Sequence, residues 1–153
     1  MQFEIRKYNT QDWSEIVRLF NAAKPDELKG SVEADQIVGL EHDYVLLNSF
    51  RESNIFVAEI NQEIIGYVGN HGNLISFLFV DPRYYRKGIG SELLRFIMPY
   101  AGKDAWLLTA KSNVPAISLY KSFGFSIVDE FLGNYNDIKR VKVLRLALMK
   151  TKS

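Results

Sequence analysis

The clearest chemistry in this sequence sits where an apolar run gives way to a helix. The run LISFLFV, Leu74 to Val80, stops at Asp81-Pro82. Tyr84, Tyr85, Arg86 and Lys87 follow, then Gly88-Ile89-Gly90 and an apolar pattern of helical spacing. A helix start presents unpaired N–H groups and a partial positive charge. Glycines let the chain turn tightly and let a ligand approach the backbone. With Arg86 and Lys87 beside those amides, the turn reads as an anion site, best suited to a phosphate or pyrophosphate. The plainer reading is a strand-to-helix turn with two solvated cations. Two familiar phosphate motifs are excluded. No G-x-x-x-x-G-K-[ST] string occurs, and the G-x-G-x-x-G fingerprint fails because position 93 is leucine.

The rest of the composition narrows the chemistry further. The chain has 153 residues, 47% of them hydrophobic and 24% charged, as expected of one globular domain over 1–153 with a genuine core. Formal net charge is +1 and the basic residues are scattered, which argues against a nucleic-acid partner. There is no cysteine, so thiol nucleophiles, disulfides and cysteine metal sites are excluded, and a reducing, cytoplasmic setting fits. Two separated histidines offer no metal set. The N-terminal stretch MQFEIRKYNT alternates in polarity, unlike a signal peptide, and no apolar run is long enough for a bilayer. No membrane partner is expected.

The glycine turn needs a frame to hold it. Phe3 and Ile5 alternate with Glu4 and Arg6, predicting a first strand. Thr10 is read as the cap of a helix with Trp13, Ile16, Val17 and Phe20 on one face, fading before Pro25. Ser31 is read as the cap of a second helix burying Ile37, Leu40, Tyr44 and Leu47. NIFVAEI and EIIGYVG form a hairpin through Asn61-Gln62, and Asn70 to Asn73 turn into LISFLFV. The helix after the glycine turn carries Leu93, Leu94, Phe96 and Ile97 and should bend or end at Pro99. AWLLTA is a short buried strand. NVPAISLYKSFGF is a helix closed by Gly124. SIVDEFL and VKVLRLALM pair around the turn-rich GNYND. The order predicts a mixed α/β sheet, antiparallel except at the strand–helix–strand step around Gly88, with helices on both faces.

VDPRYYRKGIGSELL followed by NVPAISLYKSFGF resembles the GCN5-related N-acetyltransferases, the GNAT superfamily. The family turn R/Q-x-x-G-x-G/A aligns with Tyr85 to Gly90; both glycines stand, but tyrosine replaces the first residue. The family pattern N-x-x-A-x-x-x-Y-x-x-x-G-F is matched at Asn113, Ala116, Tyr120, Gly124 and Phe125. The resemblance covers nearly the whole chain in element order. It implies the GNAT-like fold, a mixed, mostly antiparallel sheet of about seven strands.

It also implies roles. Acetyl-CoA would be the co-substrate, with its pyrophosphate on the turn formed by Arg86, Lys87, Gly88, Ile89, Gly90 and Ser91. Phe79 and Val80 would end a strand whose backbone pairs with the pantetheine arm, in a gap splayed open before AWLLTA. Asn113 would hydrogen-bond the arm. Tyr120 would sit near the sulfur and protonate the departing thiolate; with its neighbours Leu119 and Phe123 it also reads as a core aromatic. The family's frequent basic glutamate falls at Leu74, leaving Glu41, His42 and His71 as substitutes by type alone. The acceptor is an amine of undetermined identity. An acidic rim, Asp26, Glu27, Glu33, Asp35 and Glu41 against Lys24 and Lys29, would attract a cation, though a solvated face is the plainer reading. The hairpin tip, Gly133 to Asp137 with Tyr135, would either cover the acceptor or serve a homodimer, a common state in the family. Two other functions stay open: a non-catalytic CoA-binding module, and an interaction protein using the sheet edge.

Overall fold

A computed structural model describes residues 2–135 and 139–148. The chain runs β1 (Glu4–Lys7), α1 (Trp13–Glu27), α2 (Tyr44–Glu52), β2 (Asn54–Ile60), β3 (Glu63–His71) and β4 (Leu74–Val80). It continues with α3 (Ile89–Ala101), β5 (Trp106–Ala110), α4 (Val114–Ser122), β6 (Phe125–Tyr135) and β7 (Lys139–Leu148). The strands form a seven-stranded sheet in the order β1-β2-β3-β4-β5-β7-β6. Every neighbouring pair is antiparallel except β4 and β5, as the element order predicts.

Of three β-bulges among the described residues, in β3, β4 and β6, the first two decide which side chains of the central strands face which layer. Ile65 is the extra residue on β3, and Ser76 the extra residue on β4. A bulge reverses the in–out alternation beyond it. Ile75 therefore packs with Leu93, Leu94 and Ile97 of α3, whereas Phe77, only two residues on, packs on the opposite face with Ile16, Leu19 and Phe20 of α1. The sheet so acquires two cores, one under α3 and α4, the other under α1 and α2.

The helices begin and end differently from the sequence reading at several points. Asn9, not Thr10, caps the first turn, in a reciprocal capping box with Asp12. Helix α1 runs through Pro25 to Glu27, because a proline so near the end removes one hydrogen bond and leaves the earlier turns intact. Helix α3 likewise passes Pro99, which is exposed, and ends at Gly102 with φ +86°. The helix expected from Ser31 does not form. Two short 3₁₀ turns, Ala34–Gln36 and Leu40–His42, occupy that stretch, and α2 starts at Tyr44. Asp43 is the stronger cap: its side chain accepts the Leu46 N–H at 3.1 Å. Tyr44 is consequently exposed rather than buried, while Leu40 stays buried as a single knob. Ser31 instead shares a 2.7 Å hydrogen bond with Ser112. At the far end, β6 extends through Gly133 and Asn134 to Tyr135. Asn136 and Asp137 of the expected turn, and Met149 of the expected last strand, lie outside the described residues. Among the described residues no helix is long and apolar enough to cross a membrane.

Candidate active site

Strands β4 and β5 meet at one pair only, Leu74 opposite Trp106, with the Trp106 N–H on the Asn73 carbonyl at 3.0 Å. Beyond it they splay. The edge of β4 from Ile75 to Val80 is left without a strand partner on that side, so its main-chain polar groups are available to a ligand. A cavity of about 870 Å³ fills the wedge. Its floor is β4 with Leu107, Leu108 and Thr109 of β5. Its ends are the start of α3 and the side of α4, and its other wall is built from the last turn of α1 and the first half of α2.

The glycine turn occupies the α3 end. Gly88 caps the helix in the left-handed conformation, φ +80°, and Arg86 is also left-handed, φ +63°. Left-handed residues at alternate positions turn successive N–H groups toward one concavity, an arrangement suited to an anion. A Cβ at Gly88 would meet nothing within 4 Å, so the glycine is required for its backbone angle rather than for space. Gly90 is different: a Cβ there would lie 3.5 Å from Leu119, where α3 and α4 approach.

Asp81 anchors the turn from below. It is buried and accepts the Arg83 N–H at 3.0 Å, the Arg83 side chain at 2.8 Å and Arg18 at 3.1 Å. Burial alone would raise its pKa, but the hydrogen bonds from Arg83 and Arg18 outweigh it and hold the carboxyl at about 2. The Tyr85 hydroxyl donates to Asp26 at 3.0 Å, tying the turn to the end of α1 across the cavity mouth. Burial, and then the hydrogen bond to Asp26, push the Tyr85 phenol above its ordinary value.

On α4, Asn113 stands at the cap position yet makes no capping hydrogen bond with its side chain, whose amide is free to face the cavity. Tyr120 is buried, edge-on to Phe125 with ring centroids 6.2 Å apart, and lines the cavity. Burial and then the Glu27 charge hold its proton more firmly than in free tyrosine.

Of the residues implied by the resemblance, Phe79, Val80, Arg86, Gly88, Ile89 and Gly90 all line this cavity, as do Ser91, Asn113 and Tyr120. Lys87 is exposed and lies off its walls. Leu74 lines it, placing an apolar side chain at the family's glutamate position. None of the three substitutes reaches it. Glu41 lines a separate hollow beside Lys7, Tyr8 and Trp13. His42 is exposed on a 3₁₀ turn instead of the expected helix. His71 is exposed, its Nδ1 4.0 Å from Glu52. Tyr135 does not line the cavity; its hydroxyl accepts the Val38 N–H at 3.0 Å. Lys24 and Glu27 had stood out only as members of a charged rim. They line the cavity as a close ion pair, Lys24 Nζ to Glu27 Oε1 3.2 Å, with Lys24 buried. Their i,i+3 spacing on a helix was the available signal.

Comparison with known proteins agrees with this frame. Residues 13–125 match the acetyltransferase (GNAT) family, and the chain belongs to that family. It is 27% identical over 166 residues to an N-alpha-acetyltransferase of Sulfurisphaera tokodaii, covering 94% of this chain and 84% of the relative. A GCN5-related N-acetyltransferase structure from Rhodopseudomonas palustris superposes with a TM-score of 0.82 at 12% identity, covering 97% and 96% of the two chains. PaiA N-acetyltransferase from Thermoplasma acidophilum, solved with coenzyme A, superposes with a TM-score of 0.73 at 19% identity, covering 95% and 98%. The sheet and helices described above are the GNAT fold, and the protein is an N-acetyltransferase of that family.

Proposed function

We propose that this enzyme transfers an acetyl group directly from acetyl-CoA to a primary amine, with both substrates bound at once. The observation that carries the reading is the single-pair junction of β4 and β5, which leaves a free strand edge leading from the Arg86–Gly88 turn to Tyr120. An extended pantetheine arm supplies hydrogen-bonding groups of the kind that edge lacks, and the turn amides suit a pyrophosphate. The cavity's volume is in the range of cofactor sites.

In this reading the amides of Arg86, Gly88, Ile89, Gly90 and Ser91 hold the pyrophosphate. The backbone of Phe79 and Val80 orients the arm and steadies the thioester carbonyl. Asn113 bonds the arm from the other side. Tyr120 gives its proton to the leaving sulfur. A free thiol has a pKa of about 8.5, so a phenol whose proton is held more firmly than usual gives it up late, as charge accumulates on sulfur. The lack of cysteine is consistent with transfer that bypasses a thiol acyl-enzyme.

A second reading, a CoA-binding module without turnover, draws on Leu74 at the family's glutamate position. One experiment separates them. Melting curves with saturating acetyl-CoA, CoA and NAD come first. A ligand at ~100 times its Kd adds about 2.7 kcal/mol, a rise of roughly 5–11 °C for a chain of this size. Thiol release is then followed with an amine panel. A rise with both CoA species but not NAD, together with thiol release, supports the transferase. The same rise with no thiol release on any amine supports the binding module. No rise with either CoA species removes both.

A further inference from the structure

The cavity wall carries two carboxylates among the described residues, Asp26 and Glu27. Asp26 is exposed and already accepts the Tyr85 hydroxyl. Glu27 is held differently. Its Oε1 lies 3.2 Å from the Lys24 ammonium, and its Oε2 carries no protein hydrogen bond among the described residues. Lys24 is buried over the rings of Phe20, 5.4 Å from the centroid, and Phe79, at 5.7 Å. Phe79 belongs to the free edge of β4. The ion pair is thereby fixed against the strand that flanks the wedge, on the side across from α4.

We propose that Glu27 is the residue that takes the proton from the acceptor amine, and that Lys24 is its positioning residue. This rests on the acetyl-transfer reading above and supplies the base that Leu74, Glu41, His42 and His71 do not. The Glu27 charge also reaches the hydroxyls of Tyr120 and Tyr67, strengthening the hold of each on its proton after burial has done so. Acid and base thus face one space from α4 and α1.

The nitrogen lone pair of a neutral amine forms a bond to the acetyl carbonyl carbon, and the carbon–sulfur bond breaks with its electron pair on sulfur. Sulfur takes the Tyr120 proton. Nitrogen becomes acidic as its new bond forms, and its surplus proton passes to Glu27 Oε2. The products are the acetamide and the CoA thiol, and a proton returned through solvent from Glu27 to Tyr120 restores both side chains. An amine that arrives protonated sheds one further proton to solvent by the same carboxylate.

The test compares nucleophiles of different basicity. Spermidine carries strongly basic amines, a short peptide with a free N-terminal alanine carries an α-amine of pKa about 8, and both are mostly protonated at pH 7; hydroxylamine is neutral there. Glu27→Gln should lower kcat for the basic acceptors by about 10²- to 10⁴-fold, lower it less than about tenfold for hydroxylamine, and leave the acetyl-CoA melting shift unchanged. Because Glu27→Gln leaves a buried ammonium without its counter-charge, the double variant Lys24→Met/Glu27→Gln is measured beside it, replacing the pair as a unit. Unchanged kcat with the basic acceptors, or equal loss with both classes of nucleophile in a variant that still melts cooperatively, would overturn the assignment. A wild-type protein that binds acetyl-CoA and acetylates no member of the amine panel, these three included, would overturn the transfer reading itself, and the assignment with it.

Discussion

At the α3 end of the cavity the groups suited to a ligand are main-chain amides held by two left-handed residues, Arg86 and Gly88. At the α1 end they are the side chains of Lys24, Asp26 and Glu27. The two ends also differ in how they are anchored. The turn hangs from Asp81, a buried carboxylate with donors on several sides, whereas the α1 end is held by an ion pair lying on aromatic rings. A backbone site constrains sequence through its angles: it needs glycine where φ is positive, at a fixed distance from a helix start. A side-chain site constrains only residue types, and charged types also populate any solvated face. On the proposed reading, the first end is generic chemistry that many acceptors can share, and the second is where an acceptor would be chosen.

The largest effect is expected where the two ends meet, at Tyr120. Tyr120→Phe should lower kcat by about 10²- to 10⁴-fold while acetyl-CoA affinity stays nearly constant, because the ring and its packing on Phe125 remain. Burial and the nearby Glu27 charge raise the phenol's pKa, so the protonated, donating form persists above pH 10. The wild-type rate should accordingly show no alkaline loss from this group up to pH 10. Steady-state kinetics across pH read both outcomes. A variant with full kcat would leave Tyr120 as core packing and dissolve the link between the two ends.

Gly88→Val attacks the backbone end directly. A β-branched residue at φ +80° is strained by about 1–3 kcal/mol, and the turn relieves that strain by abandoning the angle that aligns its amides. Acetyl-CoA affinity should fall about 5- to 150-fold, read by calorimetry, with no clash to blame since the added side chain points into open space. An unchanged Kd would mean that the turn is structural.

How much of this was legible in the sequence follows from the same contrast. The order of elements and the lone parallel step were readable because strand–helix–strand chirality leaves few alternatives; the open wedge was legible only through the family resemblance, and the place of β7 between β5 and β6 was not foreseen. The α1–α2 connection was misread because Ile37, Leu40, Tyr44 and Leu47 mimic a helical face while Gly39 and Asp43 impose turns and a new cap. Pro25 was over-read as a stop and Pro99 as a bend or a stop, since both lie within the last turn, where little helix remains to break. The bulges were not readable at all. An extra residue in a strand changes facing without changing composition, and Phe77 and Ile75 look alike in the sequence.

Asp81→Asn tests the anchor rather than the site. The folded pKa of about 2 lies below the ordinary value of 3.8. A depressed carboxyl stabilises the fold above its unfolded value and loses that contribution as pH falls through the folded one. The carboxyl should thus contribute about 2 kcal/mol near neutral pH, lost between pH ~4 and ~2. Denaturant titrations over that window should slope for wild type and flatten for Asp81→Asn. Equal slopes would mean that Arg83 and Arg18 do not hold the group, and that the two ends are anchored alike.

The smallest effect is expected at Tyr85, which links the ends. Its hydroxyl spans from the turn to Asp26, but the residue is 41% exposed and the hydrogen bond is open to water. A neutral donor to an exposed carboxylate is worth about 1 kcal/mol at most. Tyr85→Phe should therefore change the melting temperature by less than about 4 °C and acetyl-CoA affinity by less than about fivefold. Tyr85→Arg, which restores the residue common in the family, keeps a donor for Asp26 and adds charge beside the turn amides, so affinity should rise slightly and fall away with salt. If Tyr85→Phe instead abolishes binding, the bridge to α1 is what closes the cavity mouth, and the backbone end does not grip its ligand independently of the acceptor end.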